Sequence, residues 1–245
     1  MHRIQCSEIW GGIKNAEVDL CSAGITASLY SSSCDGGKGG DVYYFSLCGA
    51  DKISRLALAD VVGHGEVVSQ MGQWVYHQVE AHMGDIDQPE MMRDLNDRVT
   101  GKGFDAITTA VIVSYHLPDR QVFYSYAGHP PMLRRSADGL WREVRLPETQ
   151  AACNLPLGVQ RGCRYDMGQI HCAKGERVFL FSDGLLEAPN AGGEFFGLPR
   201  LQATLQAAGD VGPMKLKAHV LSVLRDWTGG KLNHDDVTLI AIQLA

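Results

Sequence analysis

Thr108-Thr-Ala-Val-Ile-Val-Ser-Tyr-His116 and Gln121-Val-Phe-Tyr-Ser-Tyr-Ala127, separated only by Leu117-Pro-Asp-Arg120, form the stretch that decides the architecture. Both runs are rich in β-branched and aromatic residues and the connector is short and polar, so they read as a β-hairpin. Two further pairs repeat the design. Met132–Arg135 and Trp141–Leu146 flank Ala137-Asp-Gly139, and Arg164–His171 and Arg177–Ser182 flank Ala173-Lys-Gly-Glu176. Upstream, Ile25–Tyr30, Val42–Leu47 and Ile53–Ala59 read as strands, and Val237–Leu244 closes the chain as another. From Glu66 to Met83, Val68, Met71, Val75 and Val79 recur at spacings of three and four, which predicts a helix with one buried face. A second helix starts near Pro89, a residue suited to a first helical turn. Leu198–Ala208 and Met214–Trp227 are two more, the latter with Leu216, Val220, Val223, Leu224 and Trp227 as its apolar stripe. Hairpins imply antiparallel sheets, and two helices in each half can cover both outer faces. The expectation is an α+β sandwich, helices–sheet–sheet–helices, forming a single domain over residues 1–245. The strictly alternating strand–helix order of a dinucleotide-binding fold is absent.

Composition narrows the chemistry. The 245 residues are 45% hydrophobic and 20% charged, which suits one large globular domain. A net charge of -6 gives no electrostatic footprint for nucleic acid or an anionic membrane. Seven cysteines are scattered without a C-x-x-C pair, so neither a zinc ribbon nor a thioredoxin-like site is indicated, and reduced thiols are expected. No apolar run is long enough for a membrane span, and none follows Arg3 as a signal peptide would require. A cytoplasmic location follows as the expectation.

The informative feature is the placement of aspartates beside apolar strands. Asp60 follows Arg55-Leu-Ala-Leu-Ala59, and Asp183 follows Val178-Phe-Leu-Phe-Ser182. Asp235-Asp236 precedes Val237-Thr-Leu-Ile-Ala-Ile242, and Asp41 precedes Val42-Tyr-Tyr-Phe45. Each alone has an ordinary explanation. Asp60 could cap the helix near Glu66, Asp183-Gly184 could be a turn, and Asp235-Asp236 could be solvated loop charge. Together they call for a shared counter-ion, because an unpaired buried carboxylate is costly. Oxygen ligands without paired histidine or cysteine select Mg²⁺ or Mn²⁺ over zinc. Gly63 and Gly65 would let backbone approach a ligand closely, whereas Gly36–Gly40 lacks phosphate-loop spacing.

With these residues in hand, the chain resembles the metal-dependent protein phosphatase (PPM, type 2C) superfamily, in the bacterial branch of sporulation stage II protein E and the sigma-factor regulatory phosphatases. The matching blocks are Gly39-Gly-Asp-Val-Tyr-Tyr44, Ala59-Asp-Val-Val-Gly-His-Gly-Glu66, Phe104-Asp-Ala-Ile-Thr-Thr109, Tyr126-Ala-Gly-His-Pro-Pro131, Leu157-Gly158, Phe181-Ser-Asp-Gly-Leu-Leu-Glu-Ala188, Phe195-Phe-Gly197 and Asp235-Asp-Val-Thr238. They span about residues 25–245. The resemblance implies a metal site between the two sheets, holding two divalent cations, Mn²⁺ or Mg²⁺. By motif, Asp60 would bridge both ions, the Val61 carbonyl would ligate one, Asp183 and Asp235 would hold one, and Asp41 would help hold the second. Asp60, Asp183 and Asp235 would be the catalytic residues, with Asp236 beside them in a supporting place. The implied reaction is attack of a metal-activated water on phosphoserine or phosphothreonine, without a phosphoenzyme. The implied partner is a phosphorylated protein, by analogy an anti-sigma-factor antagonist; a homodimer is left open.

Tyr44 stands where the family's G-G-D-x-x-D pattern often carries a second acid, which puts the second metal in question. His64 is open between a proton donor and a loop histidine, and His234 between an orienting group and an exposed one. His129 is read as orienting its turn, and Met71 and Trp74 as core. Two other functions compete with the phosphoprotein phosphatase: a catalytically silent binding module of the same fold, and a hydrolase of small phosphate esters.

Overall fold

Strands β7 (Thr108–His116) and β8 (Gln121–Ala127) pair antiparallel, with His116 opposite Gln121, as the sequence predicts. The computed structural model describes residues 1–34, 36–48, 50–63, 66–82, 87–147 and 153–245. Ahead of this hairpin come β1 (His2–Arg3), β2 (Ile9–Lys14), β3 (Ala16–Cys21), β4 (Ile25–Ser32), β5 (Lys38–Cys48), β6 (Ile53–Val61) and helices α1 (Glu66–His82) and α2 (Gln88–Thr100). After it come β9 (Leu133–Arg135), β10 (Trp141–Glu143), β11 (Gly168–His171), β12 (Arg177–Phe181), helices α3 (Asp183–Leu186), α4 (Gly197–Ala207) and α5 (Pro213–Thr228), and β13 (Val237–Leu244). One sheet runs β1-β3-β4-β13-β12-β9-β10 and the other β11-β8-β7-β6-β5-β2.

Side-chain alternation explains the layering. Along β6, Leu56 and Leu58 face inward to a core between the sheets, with Phe45, Val113, Leu180 and Ile240. Their neighbours Ala57 and Ala59 face outward beneath α1 and α2, beside Val75, Met92 and Leu95. On the other sheet, Phe179 and Phe181 lie under Leu201, Leu216, Val220 and Leu224 of α4 and α5. Each fully buried aliphatic or aromatic side chain contributes about 1.5–3 kcal/mol, so three such clusters supply most of the stability. The small alanines of β6 let the helices sit close. α2 starts where Pro89 suggested, on Asp87, whose Oδ1 accepts the Glu90 N–H at 3.0 Å.

Three expectations need correction. Arg164–His171 and Arg177–Ser182 are not a hairpin: β11 pairs with β8 in one sheet, and β12 with β13 and β9 in the other. The reason is burial. β12 is buried at every position and needs partners on both edges, whereas the half-exposed β11 suits a sheet edge. The sheets are also not wholly antiparallel, because β1 runs parallel to β3. Finally, the chain before Ile25 carries three strands, whose mixed exposed and half-buried patterns gave little periodic signal.

Candidate metal centre

Asp41 on β5 and Asp60 on β6 stand directly opposite each other in the antiparallel ladder. Opposed residues project from the same face, and here that face is the inner one, shared with Tyr43, Phe45, Leu56 and Leu58. The two acids therefore lie within strands rather than beside them. Like charges placed opposite each other destabilise a sheet, so this pair demands a proton or a cation.

The opposite wall comes from the other sheet. Asp183 begins α3 straight after β12, Asp235 precedes β13, and those strands are hydrogen-bonded neighbours. Ser182 Oγ donates to Asp41 Oδ2 at 2.8 Å, and accepts the Thr238 N–H at 2.9 Å. The Thr238 hydroxyl meets Ser31 Oγ at 2.8 Å and helps to favour the charged form of the Asp41 carboxyl. The Asp41 carboxylate thus ties one sheet to the other at the mouth of the core. Its second oxygen, Oδ1, is buried without a hydrogen-bond partner among the described residues.

Burial pushes the Asp41 carboxyl well above the ordinary range, against the hydrogen bonds of Thr238 and Ser182 and with help from the charges of Asp236 and Asp183. Asp60 is pushed up too, first by burial, then by the charges of Asp41 and Asp183, by a hydrogen bond with Asp183 and by Asp235. Asp235 is raised chiefly by burial, with Asp183 and Asp236 adding to it. Glu187, on the rim, is raised by burial and by the same Asp183 and Asp235. The acids sense one another's charge without closing into a ligand set: among the described residues no three His, Cys, Asp or Glu groups lie at metal-binding spacing. Mutually repelling carboxylates with one orphaned buried oxygen are the donor set that a hard divalent cation fits. Val61 ends β6 beside Asp60, its side chain in the core under α1.

Asp236 holds this arrangement from behind. Its carboxylate accepts backbone N–H groups from Cys34 at 2.8 Å, Gly40 at 2.5 Å and Asp41 at 3.4 Å. A Cβ on Gly39 would stand 2.1 Å from Asp236 Oδ2, and one on Gly40 would stand 2.8 Å from the Val61 carbonyl oxygen. The two glycines before Asp41 therefore serve close packing of these segments. Gly184 does the same for α3: a Cβ there would meet the Asp236 carbonyl oxygen at 2.1 Å. The sequence blocks contained Ser182, Thr238 and Gly184, but nothing in their spacing revealed contacts across the sheets.

The histidines differ. His234 Nε2 donates to the Gly184 carbonyl at 2.7 Å, which makes it an orienting group between α3 and the start of β13. His129 is buried, its Nδ1 donates to the Pro130 carbonyl at 2.9 Å, and burial pushes its pKa down to about 4. It is neutral at physiological pH and braces its turn. His64 and Gly65 lie outside the described residues. Tyr44 belongs to the outer cluster under α1, with its ring 6.4 Å from that of Tyr76. An acid at this position would face the helices, so its absence removes no ligand from the space between the sheets. Met71 and Trp74 are half-buried against the same cluster.

Known proteins resemble this chain in sequence and in fold. A profile of the stage II sporulation protein E (SpoIIE) family matches residues 51–245, which takes in Asp60, Asp183 and Asp235 but not Asp41. Phosphoserine phosphatase RsbU of Bacillus subtilis (strain 168) is 28% identical over 210 residues, covering 83% of this chain and 59% of RsbU. Protein IcfG of Synechocystis sp. is 27% identical over 123 residues, 49% of this chain and 18% of IcfG. The chain therefore spans only part of the length of either relative. Among solved structures, the RsbU and RsbW domains of Rv1364c from Mycobacterium tuberculosis superpose with a TM-score of 0.78 at 22% identity, covering 95% of this chain and 62% of that one. The phosphatase domain and a regulatory fragment of SpoIIE from Bacillus subtilis give 0.76 at 17%, covering 91% and 64%. RsbX in complex with magnesium gives 0.68 at 19%, covering 94% and 100%. The structural likeness establishes a common fold, and the profile match establishes the rest: the chain belongs to the stage II sporulation protein E family.

Proposed function

We propose that this protein is a metal-dependent serine/threonine phosphatase acting on a phosphorylated signalling protein. The observation that carries the reading is the Asp41–Asp60 pair, two carboxylates opposed on neighbouring strands and facing Asp183 and Asp235. Two divalent cations, Mn²⁺ or Mg²⁺, would be held by Asp60 in common, by Asp183 and Asp235, by the Val61 carbonyl and by Asp41. When bound, they supply Lewis acidity, which lowers the pKa of a water and offsets negative charge on a phosphoryl group. The chain's own part is to hold the acids in place. Ser182 and Thr238 fix Asp41, Asp236 anchors the start of β5, and His234 fixes the carbonyl at the head of α3.

By likeness to phosphoserine phosphatase RsbU the substrate is a phosphoserine, and the family resemblance of the motifs extends this to phosphothreonine and to an anti-sigma-factor antagonist as the protein that carries it. Among the described residues no helix is long and apolar enough to cross a membrane. The one sequence feature that favoured a silent module, Tyr44, faces away from the acids. The test is hydrolysis of p-nitrophenyl phosphate with Mn²⁺ by wild type and Asp60→Ala. Metal-dependent turnover is expected in the first and not in the second; equal turnover, or none in either, overturns the reading. Phosphoproteins then compete against small phosphate esters to separate those substrate classes.

A further inference from the structure

At the end of β12 remote from Asp183, two guanidinium groups share one counter-ion. Arg177 opens β12 and stands directly opposite Arg135 of β9, with Gln243 of β13 on its other side. Leu133, Phe179 and Ala241, two residues along each strand, lie under α4 and α5, so alternation places Arg135, Arg177 and Gln243 on that same outer face. Arg177 is 6% exposed, and the Arg135 side chain 17%. Both reach Asp210 Oδ1 on the loop between α4 and α5, at 2.6 Å from Arg177 Nη2 and 3.4 Å from Arg135 Nη1. That carboxylate's side chain is 75% exposed, and the Nε atoms of both arginines are buried without a hydrogen-bond partner among the described residues. Lys174 borders the same open cavity of about 270 Å³. Glu176 borders it too, but its carboxylate already binds Arg134 at 2.6 Å.

Like charges directly opposite on paired strands repel, and sheltered cations are costly unless matched. Three cations whose one carboxylate, the solvent-facing Asp210, is shared by both arginines leave the cavity short of negative charge. We infer that it binds a small tetrahedral oxyanion, either inorganic phosphate or the phosphoryl group of a small metabolite. Arg135, Arg177 and Lys174 hold it, and Asp210 competes for the same guanidinium donors. The planar donor forks of arginine match phosphate oxygens, and the cavity is smaller than those that take drug-sized ligands. The site is about 20 Å along β12 from Asp183, and it does not depend on the proposed activity, since an inactive protein would bind the same anion.

The test is isothermal titration of sodium phosphate into full-length Asp60→Ala protein with chelator, at constant ionic strength, so that the acidic centre takes no part. Saturable binding is expected, about tenfold weaker after Arg135→Gln, the loss of one charge-assisted pair, and tighter after Asp210→Asn. Both positions are less sheltered than Arg177, and circular dichroism checks that the variants fold. A parallel arm with glycerol 3-phosphate identifies the source: tighter binding there assigns a phosphoryl ester, and binding of phosphate alone assigns the free ion. Unchanged affinity in Arg135→Gln, no gain in Asp210→Asn, or chloride matching phosphate would each overturn the site.

Discussion

Replacing Gly184 with alanine asks whether the helix bearing Asp183 must lie directly on the segment bearing Asp235. Gly184 has no positive φ, so alanine meets no backbone strain there. It is the second residue of α3, where helix propensity alone favours alanine by about 1 kcal/mol. Packing argues the other way. The new Cβ would lie 2.1 Å from the Asp236 carbonyl oxygen, 3.1 Å from its carbonyl carbon and 3.3 Å from Asp235 Cβ. Contacts under 3.0 Å do not persist, so α3 and the start of β13 must separate by about 1 Å, the gap between those values. Overpacking of this kind costs about 1–3 kcal/mol, which outweighs the propensity gain. A net loss of about 1 kcal/mol lowers Tm by about 2–4 °C in a domain of this size. The larger effect falls on catalysis, because a shift of about 1 Å between reacting groups costs about 100-fold. The assay is kcat/KM for p-nitrophenyl phosphate across a Mn²⁺ titration, with Tm measured on the same sample. The expected result is a loss of about two orders of magnitude and a higher Mn²⁺ half-saturation, with Tm only a few degrees lower. Wild-type kinetics with a raised Tm would refute the reasoning, since propensity would then have won and the contact would be unimportant.

Other outcomes follow from the same geometry. In metal-free protein, the raised Asp41, Asp60 and Asp235 carboxyls bind protons more tightly folded than unfolded. Their cost is absent below about pH 4 and grows as pH rises through their folded values. Metal-free Tm should therefore fall between pH 7 and pH 9, above the window in which His129 titrates, and added Mg²⁺ should recover more at pH 9; a flat metal-free profile contradicts this. Tyr44→Asp should lower stability by several kcal/mol, because it buries a charge under α1, and it should not tighten metal binding; tighter Mn²⁺ binding by calorimetry would show that the position does reach the centre. Asp236→Ala strips the acceptor from the backbone N–H groups of Cys34 and Gly40, at about 1.5–3 kcal/mol for each charge-assisted bond. Denaturant unfolding should show that loss together with weaker metal dependence, and a variant of wild-type stability would remove Asp236 as the anchor of β5.

The sequence carried the architecture wherever periodicity was strong. The spacing of Val68, Met71, Val75 and Val79 gave α1, Pro89 gave the start of α2, and the β-branched runs gave β7 and β8. It also carried the acids, because an aspartate beside an apolar run is chemically conspicuous whatever the fold. It failed on β11 and β12, since two strands joined by a turn look alike whether they pair together or enter different sheets; only the burial of both faces of β12 distinguishes them. It failed on β1 to β3 because half-exposed strands leave weak alternation.

What the sequence determined by itself is the list of groups: four aspartates, their glycines, and elements able to carry them. Which groups meet was decided by tertiary structure. Strand register set Asp41 opposite Asp60, and the same parity turned Tyr44 toward the helices. Closure of one sheet over the other brought Ser182 and Thr238, far along the chain, onto Asp41. Pairing of β9 with β12 set Arg135 against Arg177. Local sequence fixes the period at which side chains alternate, but register and sheet stacking are settled by burial across the whole chain, and those two choices place one charge beside another.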